Sequence, residues 1–283
     1  MKRIILLFCA FLAFSFHGFS EEKNDTVTIF TIGDSTMADK DLSHENQERG
    51  WGQLLPLYFE GNVRISNHAR NGRSTKRFID EGRWDKVLSE LRPGDYVIIQ
   101  FGHNDEKFKR PELYTAPGST FDENLMRFVR ETREKGATPI LMNPIVRRNF
   151  PAPDSTDVDV TDPRLPMWNV KTISEDEGEI LVDTHGEYKE VPRRLAAAND
   201  VIFIDMTALT HNLVQGLGRE SSRELFMWIP AGKYEFCPDG RIDNTHLNVL
   251  GALVVSRIAL NELAEKVPAL RKYIKKSVYN LKH

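Results

Sequence analysis

Five short, largely apolar and β-branched runs recur along the chain with helical patterns between them. This alternation most constrains the fold. The runs cover 27–32, 63–67, 96–101, 139–144 and 201–205. Runs of this kind are read as strands covered on both faces. Helical spacing of apolar residues fills 51–59, 77–88, 121–135, 191–198 and 207–217, and a long last helix is expected over 247–264. Strand and helix in alternation predict an α/β doubly wound parallel sheet with right-handed crossovers. In such a sheet the chemistry gathers where strands end at their carboxyl side. One segment, about 150–182, breaks the rhythm. There Pro151, Pro153, Pro163 and Pro166 are interleaved with Asp154, Asp157, Asp159 and Asp162. It is expected as a long loop or insertion within a single domain spanning 21–283.

Residues 1–20 are expected to be a cleaved export signal rather than part of that domain. Lys2 and Arg3 precede a nearly uninterrupted apolar run, and Gly18 and Ser20 supply the small residues of a cleavage site. The run is short for a membrane span, so stable insertion is not expected after cleavage. Removing the signal takes the formal charge from −3 to −5. A mildly acidic chain without a basic stripe is a poor nucleic-acid binder. Cleavage also removes Cys9 and leaves Cys237 alone, so no internal disulfide is expected.

Four short blocks carry the chemistry. Ser35 in Gly33-Asp34-Ser35 directly follows the first strand and is the candidate nucleophile. His246 is the candidate base, because imidazole exchanges its proton near neutrality. Asp243 lies three residues before it, close enough to orient the ring, and Asn244 and Thr245 are placed to cap the last helix. An oxyanion hole needs donors aimed at the tetrahedral intermediate. The backbone N–H of Ser35, that of Gly72 and the side-chain amide of Asn104 each follow a successive expected strand. Asp34 and Asp105 are expected to order their loops through backbone hydrogen bonds. His103, His185, Arg148 and Trp168 are the candidate substrate contacts. Arg147 and Arg148 together are placed to meet an acidic sugar or the acidic insertion. Trp51 and Trp84 sit in helical patterns and are expected in the core. The spacing of His103, Asp105, His185 and His246 gives no compact metal-ligand set, so no metal is expected.

These blocks, Gly33-Asp34-Ser35-Thr36-Met37, Gly72-Arg73-Ser74, Gly102-His103-Asn104-Asp105 and Asp243-Asn244-Thr245-His246, resemble those of the SGNH (GDSL-type) hydrolase superfamily. The fuller resemblance is to its rhamnogalacturonan acetylesterase family, with support from Arg49-Gly50-Trp51-Gly52, Asn67-His68-Ala69 and Asp183-Thr184-His185-Gly186-Glu187-Tyr188. The resemblance implies a three-layer α/β/α flavodoxin-like sandwich on a five-stranded parallel sheet, with no cofactor. It implies Ser35 as nucleophile, His246 as base, Asp243 as its orienter, and Ser35, Gly72 and Asn104 as oxyanion donors. The implied substrate is an acetylated cell-wall polysaccharide, rhamnogalacturonan first, with acetylxylan or another glycan as alternatives. A non-catalytic carbohydrate-binding protein on the same fold is the rival outside enzymes. The implied location is periplasmic or extracellular.

Overall fold

The computed structural model describes residues 26–150 and 180–279. The expected signal, most of the insertion and Trp168 lie outside the described residues. Five strands, β1 (Val27–Gly33), β2 (Val63–Asn67), β3 (Tyr96–Gln100), β4 (Thr138–Met142) and β5 (Ile202–Ile204), form one parallel sheet in the order β2-β1-β3-β4-β5. The helices between them are α1 (Trp51–Leu54), α2 (Thr75–Asp80), α3 (Arg83–Glu90), α4 (Thr120–Glu134), α5 (Glu187–Asn199) and α6 (Met206–Ser221).

Side chains alternate across each strand, so the strands feed both layers, except that the edge strand β2 gives Val63 and Ile65 to one layer only. Ile29, Ile98, Ile140 and Ile204 pack on one face with Trp51, Leu55, Met206 and Val214. Phe30, Val97, Ile99 and Leu141 pack on the other with Phe78, Trp84, Phe128 and Tyr188. Trp51 and Trp84 are wholly buried, as their helical patterns lead one to expect. The result is the three-layer α/β/α sandwich.

Local chemistry explains where helices stop. The helix expected over 77–88 is two helices, α2 and α3, because Gly82 adopts a left-handed φ of +67° and turns the chain between them. The helix expected over 51–59 tightens into a 3₁₀ turn over Leu55–Tyr58, where Pro56 lacks the N–H an α-helix would use.

A second, two-stranded antiparallel sheet was not legible in the pattern. It pairs β6 (Phe226–Ile229) with β7 (Arg241–Leu247). The last helix, α7 (Val249–Lys266), follows, and a short α8 (Lys276–Tyr279) ends the described chain. Asp243 to His246 therefore lie on a strand, not at a helix start. The cap expected from Asn244 or Thr245 is supplied instead by Asn248, whose side chain accepts from Gly251 N–H at 2.9 Å. Arg241–Leu247 is polar at most positions, so it shows no apolar period. Its extended shape comes from its partner strand.

The ends of the insertion meet. Val182 N–H donates to Asn149 O at 2.9 Å, and Leu181 N–H donates to Gln215 Oε1 on α6 at 2.7 Å.

Candidate active site

The chain order reverses at β1, which has β2 on one side and β3 on the other. That is the switch point of a doubly wound sheet, where a crevice opens beyond the strand ends. Ser35 follows β1, Gly72 follows β2 and Asn104 follows β3. All three line one open cleft of about 420 Å3, together with Asp243 and His246 from β7.

The Ser35 hydroxyl lies 2.9 Å from His246 Nε2, and His246 Nδ1 lies 2.8 Å from Asp243 Oδ2. The other carboxylate oxygen, Oδ1, accepts from the N–H groups of Thr245 at 2.8 Å and His246 at 2.9 Å. Burial alone would push the Asp243 carboxyl up. The hydrogen bonds and charge of His246, with the Arg241 guanidinium, outweigh it and hold the group far below the usual carboxylate range. The aspartate is therefore an anion that can only accept.

Among the described residues, neither Ser35 N–H nor Gly72 N–H donates a hydrogen bond. Gly72 sits at φ +72°, a conformation glycine takes without strain. Asn104 Nδ2 donates one hydrogen to Arg73 O at 3.0 Å, and its Oδ1 accepts from Lys107 Nζ at 2.7 Å. The amide is thus fixed in orientation, with its second N–H left over. An activated hydroxyl beside uncommitted donors is the equipment of acyl transfer.

Asp34 and Asp105 brace these loops. Asp34 Oδ1 accepts from Thr36 N–H at 2.9 Å and Thr36 Oγ1 at 2.8 Å. Asp105 Oδ1 accepts from Thr75 N–H, Thr75 Oγ1 and Thr115 Oγ1 at 2.9, 2.6 and 2.8 Å. Burial pushes Asp105 up from 3.8 to about 7, against those hydrogen bonds, with the nearby Asp34 adding to the rise. The folded state therefore binds a proton that the unfolded chain has released between about pH 4 and pH 7, and stability must fall as pH rises through that window. Asp105→Asn keeps an oxygen for all three donors and removes the ionisation. It is expected to abolish a pH-dependent loss of about 4 kcal/mol, at roughly 1.4 kcal/mol per pKa unit. Urea denaturation of both proteins from pH 4 to 8 checks this. Superimposable pH profiles would show that Asp105 takes up no proton on folding.

The expected substrate contacts divide. His103 lines the cleft, is almost wholly buried, and stacks edge-on to His185 with ring centroids 4.5 Å apart. Burial, then Arg147, pushes its pKa well down, so the ring is neutral. His185 requires a correction. Its ring nitrogens face Glu106 Oε2 and Ile145 O, both at 3.0 Å, and the residue is 1% exposed. It is committed to protein partners beneath the cleft, so it does not present to substrate. Arg148 also requires a correction. Its side chain donates to Ser222 Oγ and Asn244 Oδ1, both at 3.0 Å, and to Arg219 O, while it stacks on Trp228. With every edge used, it braces the strand carrying Asp243 from behind. Its neighbour Arg147 is the one that lines the cleft, paired with the buried Glu106. Trp168 lies outside the described residues. Among those residues, no group of three or more His, Cys, Asp or Glu is disposed to hold a metal.

Glu48 and Arg241 line the cleft, and the buried Lys40 pairs with Glu48; none of the three carried a sequence signal. Lys40 and Glu48 share the connection between β1 and α1, and Arg241 on β7 meets them only through the fold.

Residues 31–252 match the GDSL-like Lipase/Acylhydrolase family. The chain is 35% identical over 239 residues to the rhamnogalacturonan acetylesterase RhgT of Bacillus subtilis, covering 84% of this chain and 90% of that one. A rhamnogalacturonan acetylesterase of Emericella nidulans is 42% identical over 78 residues, 28% of each chain. Among solved structures, the YxiM protein of B. subtilis superposes with a TM-score of 0.63 at 25% identity, over 85% of this chain and 56% of that one. Axe2, an acetylxylan esterase of Geobacillus stearothermophilus, shares the fold with a TM-score of 0.51 at 16% identity, over 84% of this chain and 94% of that one. A family match across most of the chain, borne by a sheet of the same architecture, makes this chain a member of the GDSL-like lipase/acylhydrolase family and a carboxylic ester hydrolase.

Proposed function

We propose that the chain is an exported serine carbohydrate esterase that removes O-acetyl groups from plant cell-wall polysaccharide, rhamnogalacturonan first. The observation that carries the reading is the 2.9 Å approach of Ser35 Oγ to His246 Nε2 at the head of the cleft. The similarity to the B. subtilis rhamnogalacturonan acetylesterase along most of the chain supports the substrate class. The basic n-region and apolar run of residues 1–20 support export.

Ser35 attacks the acetyl carbonyl carbon while His246 Nε2 takes the hydroxyl proton. The carbonyl oxygen becomes an oxyanion held by Ser35 N–H, Gly72 N–H and Asn104 Nδ2. The imidazolium, stabilised by Asp243, returns the proton to the departing sugar oxygen. Water, activated by the same histidine, then attacks the acetyl-enzyme and releases acetate.

The test is acetate release from acetylated rhamnogalacturonan and acetylxylan by the wild type and Ser35→Ala. The wild type is expected to act on rhamnogalacturonan, and the variant to be slower by about 10⁴ to 10⁶, the scale on which losing a catalytic serine is felt. Release from xylan alone would move the substrate and keep the mechanism. Equal release by both proteins would remove Ser35 from it. Binding to either polymer without release by the wild type would favour a carbohydrate-binding role.

A further inference from the structure

Four charged side chains of alternating sign run from the acid of the Ser35–His246–Asp243 set to the loop that carries Gly72. Asp243 Oδ2, the oxygen that faces His246, also accepts from Arg241 Nη2 at 2.5 Å and Nε at 3.1 Å. Arg241 Nη1 donates to Glu48 Oε2 at 2.6 Å. The other oxygen of Glu48 lies 2.7 Å from Lys40 Nζ. Lys40 Nζ in turn donates to Asn71 Oδ1 at 2.6 Å, one residue before Gly72.

We propose that Arg241, Glu48 and Lys40 act as one positioning strap, which holds the Asp243–His246 pair in register with the oxyanion donor at Gly72. The inference rests on the serine-esterase reading above. Sequence distance supplies the first argument. Lys40, Glu48, Asn71 and Arg241 come from three separate stretches, and no backbone ladder joins the loop at 71–72 to β7. Among the described residues, Arg49 N–H ties the Glu48 segment to Leu247 O at the end of β7 at 3.0 Å, and the strap carries that tie on to Asn71 at one end and to the Asp243 carboxylate at the other.

Energetics supplies the second. The side chains of Lys40, Glu48, Asp243 and Arg241 are only 3%, 13%, 18% and 30% exposed. Ion pairs taken this far out of water gain little net stability, because desolvation offsets their attraction. Burial pulls the Lys40 ammonium down, and Glu48 opposes it. Burial pushes Glu48 up, and His246, Lys40 and Arg241 together override it. The neighbours thus favour the charged form of Lys40 and Glu48 against the burial that opposes it. Directional charged hydrogen bonds fix angles as apolar packing does not, and a planar guanidinium presents its N–H groups to two carboxylates in a fixed fork, where an ammonium is a point charge on a flexible stem.

The third argument is chemical. Catalysis of this kind depends on donors and base being in place before the charge develops. An error of position at either end therefore appears in the transition state rather than in substrate binding.

The test uses hydrolysis of p-nitrophenyl acetate, with kcat referred to sites counted by active-site titration. Arg241→Gln and Glu48→Gln are each expected to lower kcat about 30-fold and to move KM less than about 3-fold, the signature of an interaction made only in the transition state. The double variant is expected to be no worse than the poorer single one, because members of one unit are not additive. Arg241→Lys is expected to recover little, since it restores charge but not the fixed fork of Nε, Nη1 and Nη2 that orients both carboxylates. Lys40→Gln, which touches none of the three catalytic side chains, is expected to lower kcat about 5-fold and serves where an Arg241 variant fails to fold. Additive losses, or a rise in KM with kcat held, would overturn the strap. So would wild-type kcat in Lys40→Gln and Glu48→Gln. Ser35→Ala run alongside separates the two claims: if it is active, the serine reading itself has failed; if it is inactive while the strap variants are fully active, only the strap has.

Discussion

Replacing Asp243 with asparagine is expected to lower kcat about 10⁴-fold while leaving the protein folded, the scale seen when the orienting acid of a Ser-His-Asp set loses its charge. Both oxygens of Asp243 act only as acceptors. Oδ2 takes the His246 ring at 2.8 Å and two Arg241 donors, and Oδ1 takes two backbone N–H groups. An amide must place its NH2 at one of these positions and oppose donor with donor. If it faces the ring, it favours the tautomer with the proton on Nε2, which then cannot accept from Ser35. If it faces the backbone, the stretch of β7 carrying His246 loses its anchor. Side-chain size hardly changes, so circular dichroism should move little, while the unfolding midpoint is expected to fall because the charge that His246 and Arg241 stabilise is gone. The measurement is kcat on p-nitrophenyl acetate, and a variant within tenfold of wild type would show that Asp243 is not the orienter.

The largest expected loss of stability comes from a residue that makes no side-chain contact. Gly251 lies in the first turn of α7, where a Cβ would overlap the carbonyl oxygen of Leu225 and lie 2.8 Å from its carbonyl carbon. Both are backbone atoms, so no flexible side chain can swing aside. Leu225 O also accepts from Asn248 N–H at 3.1 Å, the residue whose side chain caps α7. Gly251→Ala must push the helix start away from β6 and stretch this junction. Overpacking commonly costs 1–3 kcal/mol, and a backbone overlap stands at the upper end or beyond, about 3 kcal/mol or more. For a chain of this size that is a fall in Tm of about 10 °C. The displaced segment begins two residues after His246, so kcat should fall with it. Calorimetry of the variant decides the point: an unchanged Tm would mean that the helix start and Leu225 part at no cost.

The sheet was legible chiefly through β1, β3 and β4, which are buried on both faces and so largely apolar, while the edge strand β2 carries Arg64, Ser66 and Asn67 and shows the pattern only at Val63 and Ile65. The helices were legible for the same reason, at their own spacing. What the pattern missed was β7. Its residues are polar, and it is a strand by virtue of its partner β6. The candidate catalytic residues could be named because each is a rare residue type in a short block beside a strand end. Sequence spacing could not supply surroundings, and so two substrate contacts were misjudged. His185 and Arg148 are polar residues in the right neighbourhood, but burial and protein hydrogen bonds had already claimed every edge of each. Arg147, next to Arg148 in the chain, leaves the strand end in the other direction and reaches the cleft.

By itself, then, the sequence determined the alternation of strands and helices, the fold class and the identity of the four reactive blocks, since apolar period and local motif are properties of neighbouring residues. The tertiary structure alone decided which polar residues face the cleft and which are spent as braces. It alone brought Lys40, Glu48 and Arg241 to Asp243. Those outcomes depend on burial and on hydrogen bonds between segments as far apart as Glu48 and Arg241, 193 residues distant along the chain, and no local pattern records them.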